Sequence, residues 1–372
     1  MIRRLLTAVL ALLLTGINAT AATLGAQTDG HVYFWNGVAI FGILGTTNLT
    51  LLDIAKRLDP GGKVDTIVEM LSQTNEILAD MQWKEGNLST GERTTVRTGL
   101  PSVFWRLLNA GVATSKSTSA QIDEMTGMLE AYSQVDVDLA KLGGNEAAVR
   151  LSEARAFFES MNQEFASTLF YGTASAPEEF IGLAARYSAL TGAGNSANVI
   201  GAGGTGSTDN TSIYLVAWDP ETICGIYPKA SKAGISHDDM GTVLIQNAGG
   251  VTGALMTAFV DHWQWKCGIA LKDWRYVVRI CNIDVSDLSL STAADLLYYM
   301  ADAEERIPSG LGRRAFYCNR TIKRYLRHQM KAAVGAGGGL TFDNVAGRRV
   351  MVFGETPVRT TDALLNTEDV VS

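Results

Sequence analysis

Several groupings in this 372-residue chain contain residue types that do chemistry elsewhere. Gly201-Ala202-Gly203-Gly204-Thr205-Gly206 matches G-x-G-x-x-G and follows the apolar pair Val199-Ile200. In a dinucleotide site the last glycine opens a helix whose N-terminal amides face the pyrophosphate. Here Ser-Thr-Asp-Asn-Thr follows, and then the strand-like run Ile213 to Trp218, so a surface loop is expected instead. His237-Asp238-Asp239 has the residue types of a general base or a metal fragment. No second histidine lies at ligand spacing, and a solvated turn between two strands is expected. Lys63 follows Gly62 as in a phosphate loop, but Arg57 stands where the first glycine belongs. HExxH, GxSxG and an EF-hand loop are absent. Lys323, Arg324, Arg327, His328 and Lys331 share a helical face opposite Ile322, Leu326 and Met330. That face suits a phosphate or an acidic neighbour, or simply the wet side of an amphipathic helix. Cys224, Cys267, Cys281 and Cys318 form no CxxC pair and read as small buried hydrophobes. Only Cys267 and Cys281 could pair across a hairpin in an oxidising compartment. No catalytic residue, cofactor or metal is expected.

The elements that carry these residues belong to a folded chain. Apolar residues are 47% and charged residues 19%, with 38 Gly and 7 Pro, which excludes intrinsic disorder and collagen-like structure. The net charge of −7 argues against a protein whose main task is gripping phosphates. Residues 1–37 look like a secretory leader, with Arg3 and Arg4, the apolar run Leu5 to Leu14, and Ala19-Thr20-Ala21 as a cleavage site. The run is too short to span a bilayer. The competing expectation is a mis-set start, with Val38 as the first residue.

Leu49, Leu52, Ile54 and Leu58 recur at helical spacing over 48–58, before the Asp59-Pro60-Gly61-Gly62 turn. A second short helix is expected over 63–80. Residues 85–108 read as an extended hairpin with mostly polar arms and Gly99-Leu100-Pro101 in the middle. Such a hairpin has too little apolar surface for its own core and needs something else to lie on. Strand character follows at Met128 to Val137. From Asn145, a good cap, Leu151, Ala154, Phe158, Met161, Phe165 and Leu169 predict a helix to about 170, a rod of about 38 Å. Strands are expected at 212–218, 224–227, 242–246, 253–259, 274–285 and 315–318. Helices are expected at 292–305, capped by Thr292, and 319–333, with a closing hairpin at 340–353. Helices and strands mix without βαβ alternation, which indicates an α+β fold.

The segments TLLDIAKRLDPGGKVDTIVEMLSQTNEIL (50–78), GERTTVRTGLPSVFWRLLN (91–109), IYPKASKAGISHDDMG (226–241) and KDWRYVVRICNIDVSDL (272–288) carry a resemblance. They are similar to the major capsid proteins of short-tailed bacteriophages of the epsilon-fifteen type, within the Hong Kong-ninety-seven-type capsid family. The similarity runs in order over residues 40–372. It implies an N-terminal arm (38–84), an extended loop (85–108) and a peripheral domain (109–180) with a spine helix at 145–170. It also implies an axial domain (181–335) and a return to the peripheral domain (336–372), with residues 1–37 outside the fold. The implied function is structural: a head-shell subunit of a phage or prophage, forming pentamers and hexamers around packaged DNA without reading its sequence. Scaffold, decoration and portal proteins are further implied partners, and the virion, assembled in the host cytoplasm, is the implied location. Expected assembly contacts are Gly86, Gly91, Arg93, Arg97, Gly99 and Trp105, with the glycines as hinges. A secreted or periplasmic ligand-binding protein or hydrolase is the alternative, favoured only by the leader.

Overall fold

This computed structural model describes residues 30–35, 38–43, 73–141, 145–206, 208–246, 253–290, 293–333, 340–345 and 348–372, leaving aside the side chains of 30–43 and 330–350. The helix expected at 48–58, most of that expected at 63–80 and the leader up to residue 29 lie outside the described residues. In chain order the elements are β1 (Gly30–Trp35), β2 (Val38–Ile43), α1 (Ile77–Asp80), β3 (Trp83–Glu85), β4 (Gly91–Gly99), β5 (Thr118–Met125) and β6 (Gly127–Asp136). Then come α2 (Val137–Lys141), α3 (Glu146–Tyr171), α4 (Leu183–Arg186), β7 (Val199–Gly201), β8 (Asn210–Trp218), β9 (Ile223–Tyr227), β10 (Ile235–Gln246) and β11 (Leu255–Leu271). The chain continues with β12 (Val277–Asp284), α5 (Leu296–Arg306), β13 (Arg313–Cys318), α6 (Arg320–Ala333), β14 (Leu340–Val345), β15 (Arg348–Phe353) and β16 (Thr356–Thr360).

The chain divides into two units, and the division falls inside β6, α3, β10 and β11. The larger unit (68–133, 151–239 and 261–372) is built on a seven-stranded mixed sheet of order β14-β15-β16-β13-β8-β12-β7. Its central strands are apolar on both faces, and the two-residue period sorts them. Ile213, Leu215 and Ala217 of β8, Val278 and Ile280 of β12, and Phe316 and Cys318 of β13 enter one core. Leu296, Met300 and Ala303 of α5 and Ile322 and Leu326 of α6 cover that core. Tyr214, Val216 and Trp218, with Val277, Cys281, Ala315 and Tyr317, enter the other. There α3 contributes Met161, Phe165, Leu169 and Phe170. Phe165 sits at its centre, with ring centroids 4.5 Å from Trp265, 5.5 Å from Phe180 and 5.7 Å from Trp83.

Residues 134–150 and 240–260 belong to the smaller unit with the N-terminal part of the chain. Val135, Ala140 and Val149 form its small core, with Leu139 and Phe259 packed against it. The Arg150 guanidinium lies 5.1 Å from the centre of the Phe259 ring. β1 and β2 pair antiparallel from Gly30↔Ile43 to Trp35↔Val38.

Several expectations are met closely. The α3 helix starts and stops within a residue of its expected bounds, and Asn145 Oδ1 accepts from the Ala148 amide at 3.1 Å as a cap. Along the apolar stripe Ala154, Met161, Phe165 and Leu169 are buried, whereas Leu151 and Phe158 are exposed. Other expectations are corrected. The helix expected to start at Thr292 starts at Leu296, because Asp295 is its cap and accepts from the Tyr298 amide at 3.2 Å. β11 runs 17 residues rather than stopping at 259, since Trp263, Trp265 and Cys267 alternate with polar residues and keep one face buried. The strand expected from Trp274 begins at Val277, after a single 3-10 turn at 274–276. His237-Asp238-Asp239 lies inside β10, not in a turn. His237 Nε2 is 2.8 Å from Asp261 Oδ1 and its ring stacks on Trp263 at 3.9 Å.

The loop after Gly201 leads to β8 with no helix among the described residues, as its sequence implied. Asn319 caps α6 by accepting from the Ile322 amide at 2.9 Å. All four cysteines are free and buried. Burial pushes the thiols of Cys224 and Cys281 up to about 11 and that of Cys318 to about 12, and raises Cys267 further. Among the described residues no cluster of three metal-ligating side chains occurs, and no helix is long and apolar enough to cross a membrane.

Candidate assembly site: the Gly91–Met125 hairpin

The sequence placed both arms of the extended hairpin within 85–108, with the turn at Gly99-Leu100-Pro101. The structure keeps the first arm as β4 but pairs it with β5, from Gly91↔Met125 to Gly99↔Thr118. Gly99-Leu100-Pro101 ends β4 rather than reversing the chain, and residues 100–117 form a long tip without regular structure apart from a turn at 108–109. Proline explains part of this: it has no amide for the ladder and keeps the residue before it extended, so pairing stops there. The Ser115 hydroxyl donates to the Ser102 carbonyl at 2.7 Å, closing the neck of the tip.

Polarity is distributed unevenly along this hairpin. Its arms are mostly polar, whereas the tip carries Leu100, Val103, Phe104, Trp105, Leu107 and Leu108, all exposed and Trp105 fully so. A contiguous apolar patch of this kind marks an interaction surface. Burying these six side chains would contribute on the order of 10 kcal/mol before ordering costs. The expected contacts Arg93 and Arg97 lie in the β4 arm. Arg93 makes a bidentate cross-strand pair with Asp123, at 2.6 Å for each nitrogen, and the pair is half exposed. The structure brings Arg93, Arg97 and Gly99 onto one arm and Trp105 onto the tip, while Gly86 and Gly91 sit at the root.

The root is fixed by groups that sequence reasoning did not single out. The buried carboxylate of Glu92 meets Lys84 Nζ at 2.9 Å and Lys272 Nζ at 3.0 Å. Burial alone would raise its pKa, but the hydrogen bonds and charges of the two lysines prevail and hold it below the ordinary 4.5. Directly across the ladder, the buried Glu124 accepts a bidentate pair from the partly buried Arg186, both contacts at 2.6 Å. A Cβ on Gly91 would lie 1.9 Å from the Glu124 carbonyl oxygen, and one on Gly86 would lie 2.3 Å from the Gly91 carbonyl oxygen. These glycines are therefore required by close backbone approach. At Gly99 a Cβ would meet only the end of the Thr118 side chain, and the register shifts between Arg97 and Gly99. A shift of this kind locally bends and twists a ladder. No motif links residues as distant as Glu92, Lys272 and Arg186, so the sequence offered no local signal for them.

A two-core α+β body with a firmly rooted hairpin that ends in uncovered apolar side chains is the form of a tailed-phage capsid subunit. The chain is similar to one in the near-atomic-resolution structure of bacteriophage Epsilon15, with a TM-score of 0.70 and 32% identity over 88% of this chain and 99% of that one. It belongs to the family described as major capsid protein GP7, which it matches over residues 59–372. Weaker likenesses are to the bacteriophage JBD30 capsid (TM-score 0.42, 10% identity, 79% of this chain and 92% of that one) and to the holo-SrpI encapsulin complex from Synechococcus elongatus PCC 7942. The second has a TM-score of 0.40 and 11% identity, over 59% of this chain and 91% of that one. No curated protein matches the chain.

Proposed function

We propose that this major capsid protein builds a phage head shell around DNA, with the Gly91–Met125 hairpin as its principal grip on neighbouring copies. The observation that carries this is the apolar tip at 100–108, which no described part of the subunit covers. Laid over a neighbour, the tip is buried there while its root stays fixed by Glu92 and Glu124. Subunit folding and shell closure then stabilise each other by mass action. The same chain occupies five-fold and six-fold positions, and the bend this requires is concentrated at Gly99 rather than at Gly86 or Gly91. Assembly takes place in the host cytoplasm, with scaffold, portal and decoration proteins as the further partners of such a shell.

Deleting residues 101–116 tests the reading. The expected product is a subunit with the wild-type melting temperature that forms no closed particles in negative-stain micrographs. Normal shells from this deletion would refute it.

A further inference from the structure

A second concentration of polar function, apart from the hairpin, is a basic face on α6. Arg320, Lys323, Arg324, Arg327 and His328 of α6, with the hydroxyls of Thr74 and Thr360, line a trough of about 690 Å³. We infer that this trough binds the phosphodiester backbone of double-stranded DNA. The inference deepens the shell reading, because it takes the enclosed genome as the ligand.

Positions 320, 324 and 327 follow the helical repeat of one face and span about 10 Å at 1.5 Å per residue. Duplex DNA carries roughly one negative charge per 1.7 Å of axis, so a trough of this length faces several phosphates. The cations are presented in two ways. Arg320 is oriented by a bidentate pair with Asp362, 2.7 Å at each contact, and Lys323 Nζ donates to Thr360 Oγ1 at 2.6 Å. Arg324 and Arg327 are exposed and make no ion pair among the described residues; the Arg324 guanidinium lies 4.8 Å from the centre of the Tyr325 ring. Guanidinium groups match phosphate oxygens in geometry as well as charge.

The lining also discriminates against a protein partner. Protein interfaces are anchored by aromatic, Met and Arg side chains around an apolar centre. Here the described lining has no carboxylate and no large apolar side chain. The chain as a whole is acidic, at −7, so the attraction is local to this face. A few phosphate contacts of this kind position DNA against a wall without clamping it or reading its sequence.

The test is the double variant Arg324→Gln/Arg327→Gln in the full chain, with both substitutions at exposed positions. A mixed-sequence 20-base-pair duplex is titrated over a salt series, with polyglutamate and inorganic phosphate as separate probes, and particle formation is followed by sedimentation. The expected result is duplex binding by the wild type. In the variant the log–log salt slope becomes shallower by about 2, and affinity at 0.1 M salt falls on the order of 10- to 100-fold, from about 0.9 counterion per lost contact. Particles still form. Equal duplex affinity and slope in the two proteins, or no duplex binding by the wild type, would overturn the inference. So would tighter binding of polyglutamate than of duplex, displacement of duplex by inorganic phosphate at matched ionic strength, or loss of particles in the variant, which would make the trough a contact between subunits. Failure of the shell reading itself is distinct: wild-type protein would then form no particles at all.

Discussion

Two antiparallel pairings in this chain, β8 with β12 and β4 with β5, are built to opposite specifications. Every residue of β8 is buried, its two faces feed separate cores, and its ladder partners are themselves covered. The β4–β5 ladder is comparable in length but largely exposed beyond its root. The ion pairs repeat the contrast. Arg279 and Glu368 are each 5% exposed, and Glu368 also accepts from Tyr171 Oη at 2.6 Å and from the Ser212 hydroxyl. Arg93 and Asp123, in the hairpin, are 50% and 47% exposed. The first region holds itself together. The second is anchored at its root by Glu92 and Glu124, and the apolar side chains of its tip are left exposed.

The comparison can be broken at its strongest point by Glu368→Ala. This strands the Arg279 guanidinium, whose Nη2 otherwise donates to Glu368 Oε2 at 2.9 Å. Leaving one partner of a buried pair uncompensated costs roughly 3–5 kcal/mol, measurable by urea denaturation of unassembled subunits. Gly91→Ala should act on the other region. Its Cβ collides with backbone, so the hairpin root must shift at a cost of roughly 1–3 kcal/mol. Hydrogen exchange should rise in β4 and β5 and stay unchanged in β8 and β12.

Acid should separate the regions more gently. The Glu92 carboxyl has a folded-state pKa below its ordinary 4.5, so its contribution is complete above about pH 4.5 and is lost as the pH falls through the lower folded value. Proteolysis of the hairpin should accelerate below about pH 4.5, and Glu92→Gln should flatten that dependence. The smallest effect belongs to Arg93→Ala, since a solvent-screened surface pair contributes little. Subunit melting should be unchanged, and any defect should appear only in particle yield.

Legibility in the sequence followed the same division. α3, β8 and β13 were found to within a few residues because their apolar periods are imposed by cores that lie on them. The hairpin was mis-ended because Gly99-Leu100-Pro101 has the composition of a turn, while pairing with residues 118–125 depends on a distant register. The Arg97 and Trp105 neighbourhood was singled out by its polarity and by resemblance, not by any chemistry of its own. Arg279 falls inside the strand expected at 274–285, and nothing near it in sequence marks an ion pair. Its partner lies 89 residues away, a separation that leaves no local pattern. His237 looked like a loop residue because its neighbours Asp238 and Asp239 are poor strand formers, yet the ring is held by Asp261 and Trp263.

The placement of the four thiols bears on the life of a particle outside a cell. Each sits in the interior with its proton held well above neutral pH, so little of the reactive anion exists at any sulfur. The subunit accordingly offers no nucleophilic cysteine at its surface. Incubation of the protein in air followed by non-reducing electrophoresis should therefore show no disulfide-linked dimer, and a dimer band that dithiothreitol removes would contradict the buried placement.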